Sequence, residues 1–366
     1  MMSYARARLW LGVAGVGTMV TLTTLLLFLR LPLRFLSTST TPNSGELREL
    51  LLVFVAYAAL SAPFDAFGGF VLPHEYGRSK ASFAAFFGRW LRGVVLHSGL
   101  LLAFSLGLLS AARAGGSLLV LGVFCGLQLA LLLLQPFLAQ IMGGLRYSHA
   151  ERYQLASGGG RYFTGGVVGL PGRESVILPA HWVEQLTPEQ LELVLLRKRG
   201  VVRSGSRTRG LLLGFGWNLA GFCLALVLSG GVSSVAGLIT CSLWFTLWSF
   251  LGLLLLPRPS QKGVFGGDQY ALQHGAAPEL LESVIRKLDQ DQDDEYARSE
   301  RVERTFHPLP SVERRLQSFA KPLLGFDAWH GARMAIYFSW AGLSFLSRAV
   351  HCNSGRPDVW VLLPSD

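Results

Sequence analysis

The sequence predicts an all-α polytopic membrane protein with six or seven transmembrane helices and soluble insertions. Two observations support this prediction. Hydrophobic residues make up 51% of the 366 positions and charged residues only 15%, which is too apolar for an ordinary soluble protein. The apolar residues are also gathered in runs that reach the length of about 20 residues needed for a membrane-crossing helix.

Six runs meet this length. They are Leu9–Leu29, Leu50–Leu72, Gly93–Ala112, Leu118–Met142, Leu211–Leu228 and Val232–Leu256. The first run lacks a small-residue cleavage site, which favours a retained span over a signal peptide. A seventh run, Met334–Val350, has only 17 residues and contains Arg348, so it fits either a short span or an interfacial helix.

These runs divide the chain into five parts. They are a four-span region (1–142), an insertion (143–210), a two-span hairpin (211–256), a second insertion (257–333) and a short hydrophobic helix with its tail (334–366). In the first insertion, the β-prone runs "GGVVGL" and "SVILP" predict a small β-hairpin, whereas "GGLRYSHAERYQLASGGG" is expected to be a flexible joint. Thr187, Pro188 and Gln190 then predict a helix that starts with a capping box.

The net charge of +10 indicates basic loops on one side of a membrane. Lys and Arg are richest before the first span and after the second and fourth spans, which predicts a cytoplasmic N-terminus and cytoplasmic insertions. We expect an integral protein of the bacterial inner membrane that contacts membrane lipids and has a protein partner in a membrane complex. No nucleic acid is expected, because no recognition motif accompanies the charge. The four cysteines form no disulfide framework.

Five segments in order resemble the HtpX and type I CAAX prenyl endopeptidase family of membrane zinc metallopeptidases. They are "APFDAFGGFVLPHEYGRSKASFAAFFGRWLRG", the hairpin "FTGGVVGLPGRESVILP", the helix "LTPEQLELVLLRKRGVV", "VFGGDQYALQHG" and "HPLPSVERRLQSF". The resemblance implies spans that enclose a chamber, with a zinc site at its cytoplasmic end. In the family, the helix carries H-E-x-x-H and the fourth segment carries E-x-x-x-D.

The metal-binding positions depart from the family pattern. The first His is replaced by Arg197, the catalytic Glu by Lys198 and the second His by Val201. The third ligand is replaced by Val264, and Asp268 is the position that agrees with the pattern. Guanidinium and hydrocarbon groups supply no donor for zinc, so the resemblance implies a degenerate site without catalytic residues, metal or cofactor.

The cations of this helix have two interpretations. In the first, Arg197 or Lys198 takes the electrostatic place of the zinc ion and pairs with Asp268. In the second, Arg197, Lys198 and Arg199 extend to the lipid headgroups near the fifth span. A buried pair and a headgroup contact predict opposite degrees of burial for these side chains.

The sequence favours a catalytically inactive metallopeptidase homologue that acts as a binding or scaffold protein in the membrane. One alternative is an active metalloendopeptidase with a relocated metal site, although the scattered histidines, such as His181 beside Glu184, bring no third ligand with them. Another is a transporter or channel that uses the chamber, although His97 and Asp65 are almost the only ionisable residues in the long spans. Asp65 is expected near the membrane interface, at a break in the second span.

Overall fold

A computed structural model describes residues 2–292, 294–321 and 325–363, and most of them are helical. The described α-helices are α1 (Tyr4–Phe28), α2 (Leu31–Phe35), α3 (Glu46–Ala66), α4 (Leu72–Glu75), α5 (Phe83–Gly143), α6 (Ala180–Gln185), α7 (Pro188–Arg203), α8 (Ser206–Ser229), α9 (Val235–Leu255), α10 (Pro257–Gln273), α11 (Pro278–Asp291), α12 (Glu300–Phe306), α13 (Val312–Ser318) and α14 (Gly331–Phe338). The predicted class, a polytopic helical membrane protein, is confirmed.

Five helical stretches are long and apolar enough to cross a membrane: α1, α3 continued through α4, α5, α8 and α9. Helix α5 spans 61 residues and is interrupted at Gly115 and Gly116, where Gly116 has a φ of 66° that glycine adopts readily. The guanidinium of Arg92, near the start of α5, contacts Gly144, which follows its end. The two halves of α5 therefore run antiparallel as a helical hairpin, and the six long apolar runs correspond to parts of these five helical stretches.

The seventh run does not form a span. Helix α14 ends at Phe338, a 3₁₀ turn follows at Ser339–Gly342, and Leu343 then takes a left-handed conformation with φ of 60°. An irregular chain continues from there to Leu363. A run of 17 residues interrupted in this way cannot provide the length of helix that a bilayer requires. Both predictions for this run, a short span and an interfacial helix, are wrong.

Residues 331–363, which we call the C-terminal plug, lie in the interior of the bundle of long apolar helices. All of them are buried except three partly exposed residues at 350–352. Hydrogen bonds join the plug to α5: the Tyr337 hydroxyl donates to the Leu131 carbonyl at 2.8 Å, and the Gln135 amide donates to the Val361 carbonyl at 3.0 Å. The space in which the family resemblance implies a chamber is therefore filled by the chain's own C-terminal segment.

A four-stranded sheet lies in the first insertion, in the order β1 (Arg146–His149), β2 (Gln154–Ser157), β4 (Ser175–Pro179) and β3 (Gly166–Val168). The antiparallel pair β3–β4 is the predicted hairpin. Strands β1 and β2 occupy the stretch expected to be a flexible joint, and that prediction is wrong. Their sequences are largely polar and carry little strand signal, but β2 pairs with β4 in parallel and gains order from that contact.

The two helices that form the candidate site begin as their sequences indicate. Helix α7 starts with the predicted capping box, in which the Thr187 hydroxyl accepts from the Gln190 amide and the Gln190 side chain accepts from the Thr187 amide. Helix α10 follows directly after α9, with Pro257 at its first position. A Cβ placed on Gly267 of α10 would lie 3.1 Å from Val201 of α7, so the glycine permits the close approach of these helices.

The N-terminus and both insertions lie on the same side of the membrane-crossing bundle. Arg6, at the start of α1, forms an ion pair of 3.3 Å with Glu295 of the second insertion. Arg78, which follows α4, pairs with Asp294 at 3.0 Å. The assignment of this side to the cytoplasm stays a prediction that rests on the distribution of Lys and Arg.

Candidate functional site

Helices α7, α10 and α13 meet at the end of the bundle from which the insertions project. All five residues singled out from the sequence lie in this region. Arg197, Lys198 and Val201 lie on α7, and Val264 and Asp268 lie on α10. The packing of α7 against α10 brings the two altered motifs together, as the family resemblance implies.

Asp268 is the centre of this arrangement. Arg197 donates from Nε to Oδ1 of Asp268 at 2.7 Å. Arg315, on α13, donates from Nε to Oδ2 at 2.8 Å and from Nη2 to Oδ1 at 2.7 Å. The second arginine makes a bidentate contact, which is the strongest geometry between a guanidinium and a carboxylate. One carboxylate therefore accepts hydrogen bonds from two guanidinium groups.

The burial of these side chains decides between the two interpretations of the cations. Arg197 is 4% exposed, Lys198 is 2% exposed and Asp268 is fully buried. A contact with lipid headgroups requires the charged end of a side chain to reach the surface, so that interpretation is wrong for Arg197 and Lys198. The alternative, a pair between Arg197 and Asp268, is present. Arg199 is partly exposed, which favours neither interpretation.

The two valines form the apolar wall of the site. Val201 and Val264 are each 3% exposed, and they belong to one buried cluster with Val167 of β3 and Trp329. The positions that the resemblance assigns to two metal ligands are thus filled by hydrocarbon side chains in a shared apolar cluster. Such a cluster is stabilised by the exclusion of water, which is the opposite of what a hydrated metal ion requires.

The side chains at this site do not fit a zinc ion. Zinc is bound by thiolate, imidazole or carboxylate groups, and Asp268 is the single such group among the five altered or retained motif positions. Both of its oxygens already accept from guanidinium groups. Arg197 and Lys198 would also repel a divalent cation, because they carry positive charge and have no acceptor atom.

No other donor cluster is found among residues 2–292, 294–321 and 325–363: no three His, Cys, Asp or Glu side chains lie close enough together to hold a metal ion. His181, one of the histidines considered from the sequence, lies with Nε2 4.0 Å from Oδ2 of Asp291. Burial lowers the pKa of His181, and the charge of Asp291 opposes this shift in part. Burial also raises the pKa of Asp291.

Arg315 is the residue of this site that the sequence reasoning missed. It lies within the segment "HPLPSVERRLQSF", which was noted for its resemblance and not for a charge partner. A signal was available, because a buried Asp with one proposed partner still has acceptor capacity for a second donor. The sequence separation of 47 residues between Arg315 and Asp268 hides the contact from any local pattern.

A second buried carboxylate lies between the spans and the plug. Asp65 accepts from the Trp90 indole at 2.9 Å and from the Gly355 amide at 2.8 Å, and it forms an ion pair with Arg348 of the plug. The side chains of Asp65 and Arg348 are each 1% exposed. Asp65 lies next to the predicted break, a π-helical turn at Phe67–Val71, and its carboxylate faces the protein interior. Its position near the membrane interface stays a prediction.

Comparisons with known proteins agree with this architecture. Residues 1–141 match the family model described as CAAX prenyl protease N-terminal, five membrane helices. The crystal structure of S. mikatae Ste24p matches with a TM-score of 0.62 and 12% sequence identity, over 76% of this chain and 76% of that chain. No curated protein sequence matches the chain. The family-model match confirms the resemblance for the sequence of the N-terminal region, and the structural match confirms it for the fold.

Proposed function

We propose that this chain, which has the N-terminal region and the fold of the type I CAAX prenyl endopeptidase family, is a non-catalytic binding or scaffold protein of the membrane. The observation that carries the proposal is the occupation of Asp268 by Arg197 and Arg315. In this arrangement the guanidinium groups neutralise the carboxylate, which is the electrostatic task that a bound cation performs in a metal site. The local architecture is thereby retained without the chemistry of peptide hydrolysis.

The C-terminal plug supports the same proposal. A peptidase within a membrane chamber needs space for its substrate beside the reactive groups, whereas here residues 331–363 fill the interior of the bundle. The plug also argues against the alternative of a transporter or channel, because the path through the spans is packed with side chains as large as Trp340 and Trp360. What remains accessible is the outer surface of the insertions and of the spans, where a protein partner or lipids would bind.

The decisive experiment measures zinc and proteolysis in the same preparation. The protein is produced in zinc-supplemented medium, purified in detergent and assayed by elemental analysis and by cleavage of an unfolded protein substrate. We expect far less than one zinc ion per chain and no cleavage that a chelator suppresses. Stoichiometric zinc together with chelator-sensitive cleavage by the unaltered chain would establish the rival, an active peptidase with a relocated metal site.

A restored variant provides the matched control. Arg197→His, Lys198→Glu, Val201→His and Val264→Glu recreate H-E-x-x-H with a third carboxylate ligand, and we expect this variant to bind zinc. A second variant with Gln at the same four positions removes the cations and valines without adding ligands for zinc. It shows whether any gain of zinc comes from the ligands or from loosening of the site. Arg315 is unaltered in both variants and continues to pair with Asp268.

A further inference from the structure

A cavity of about 520 Å³ opens between α10, α12 and α13. Five cationic side chains line it, and the described residues of its lining include no carboxylate. The five are Arg258, Lys262, Arg304, Arg314 and Lys321. We call this cavity the cationic pocket.

The positive charge of the pocket is only partly compensated. Arg304 pairs with Glu300 and Arg314 pairs with Glu303 at 2.9 Å, and both carboxylates lie outside the lining. The other three cations have no ion pair within the described parts of the chain. Five positive charges less two negative charges leave a net charge of +3 at the mouth of one cavity.

The walls of the pocket are held in place by contacts that do not depend on a ligand. Besides its pair with Glu303, Arg314 donates to the Gln261 side-chain oxygen at 3.3 Å, and its guanidinium lies 5.7 Å from the ring centroid of Phe265. Gln261 in turn donates to the Glu303 carbonyl at 2.9 Å. A donor group fixed before binding loses less conformational entropy when a ligand arrives, which favours binding at this position.

The position of the pocket places it at the membrane surface. Arg258 follows the last residue of α9, Leu255, by three positions, so it lies where the chain leaves the membrane. Three guanidinium groups and two ammonium groups match the oxygen atoms of phosphate, which accept bidentate hydrogen bonds from arginine. A phosphate monoester carries about two negative charges and neutralises more of the pocket than a single carboxylate does.

We propose that the cationic pocket binds a phosphate-bearing anion, which is either the headgroup of a membrane phospholipid or a soluble phosphate compound. The pocket is separate from the Asp268 site, whose cations are buried and directed at that carboxylate. The inference therefore does not rest on the absence of peptidase activity. It holds equally for a catalytic and for a non-catalytic protein.

The test distinguishes the two sources of phosphate. In one arm, native mass spectrometry counts the phosphatidic acid molecules retained by the full chain, against phosphatidylcholine as the neutral reference. In the other arm, calorimetry measures the binding of inorganic pyrophosphate to the full chain in phosphatidylcholine nanodiscs. Saturable binding in the first arm alone identifies a lipid headgroup, and saturable binding in the second identifies a soluble phosphate compound.

Two triple variants decide whether the pocket is responsible. The first carries Arg258→Gln, Lys262→Gln and Lys321→Gln, the three lining cations outside the described ion pairs. The control carries Arg146→Gln, Arg161→Gln and Arg173→Gln, three exposed cations of the first insertion. We expect the pocket variant to weaken binding at least about tenfold and the control less than about twofold, since each cation near an anionic ligand contributes separately.

Two outcomes would overturn the proposal. One is the absence of saturable binding in both arms. The other is an equal loss of binding in both triple variants, which would assign the effect to net charge and not to the pocket. Circular dichroism and an elution volume equal to that of the unaltered protein confirm the folding of each variant. The changed side chains lie at the surface or at the rim of the cavity, where substitution leaves the core intact.

Discussion

Two of the buried carboxylates of this protein, Asp65 and Asp268, are bound by arginine in different ways. Asp65, between the spans and the plug, pairs with the guanidinium of Arg348 and also accepts from an indole and a backbone amide. Asp268, at the end of the bundle, pairs with two guanidinium groups. The first carboxylate therefore has one guanidinium and two neutral donors as partners, whereas the second accepts from two guanidinium groups.

This difference follows from the surroundings. Between the spans and the plug an uncompensated charge is expensive, so Asp65 and Arg348 are matched one to one and neutral donors satisfy the remaining lone pairs. The guanidinium of Arg348 also lies 4.9 Å from the ring centroid of Trp360, a favourable contact for a cation. At Asp268 a second guanidinium takes the place that neutral donors have at Asp65.

The largest effect is expected from breaking the buried pair of Asp65 and Arg348. Asp65→Ala leaves Arg348 buried without its carboxylate and should lower the free energy of unfolding by about 3–5 kcal/mol. Thermal unfolding in detergent measures the loss. In the double variant Asp65→Leu with Arg348→Met both charges are gone, so most of the stability should return. A single variant as stable as the unaltered chain would contradict the role assigned to this pair.

A smaller effect is expected at the second centre. Asp268→Ala removes the common acceptor of Arg197 and Arg315, and it should cost about 2–3 kcal/mol. The loss is expected to be smaller because these side chains are 5% and 7% exposed, against 1% for Arg348. The control is Glu192→Ala, which removes an exposed ion pair between Glu192 and Arg152. The side chain of Arg152 is 52% exposed and that of Glu192 is 49% exposed. That change should cost less than about 1 kcal/mol. Equal stability of the Asp268 variant and the control would show that the buried centre contributes nothing.

The smallest effect tests the packing of the plug without altering a charge. A Cβ on Gly12 of α1 would lie 2.5 Å from Cβ of His351 in the plug, so Gly12→Ala should cost about 1–2 kcal/mol. Gly17, on the same helix, has no atom of the described residues within 4 Å of the position that a Cβ would occupy, and Gly17→Ala should be neutral or stabilising by up to about 1 kcal/mol. The same unfolding assay compares them. Indistinguishable results would mean that the plug does not pack against α1.

The local features of this protein follow from its sequence. The long apolar runs predicted the long apolar helices, because the ability of a helix to cross a bilayer depends on its length and composition. The start of α7 followed from Thr187, Pro188 and Gln190, since a helix cap is satisfied within four residues. The departures from the metal-binding motif could be identified too, because a side chain without a donor atom cannot hold zinc in any fold.

Contacts between distant segments were decided only by the tertiary structure. Arg348 reaches Asp65 across 283 positions, and Arg315 reaches Asp268 across 47 positions, so no periodicity or spacing reveals either pair. The same applies to the plug. An apolar run of 17 residues is compatible with a span, an interfacial helix or a buried core segment, and the choice depends on whether the other spans leave a space for it. Sequence sets the local energies, whereas the partner of each buried group depends on which segments the complete fold brings together.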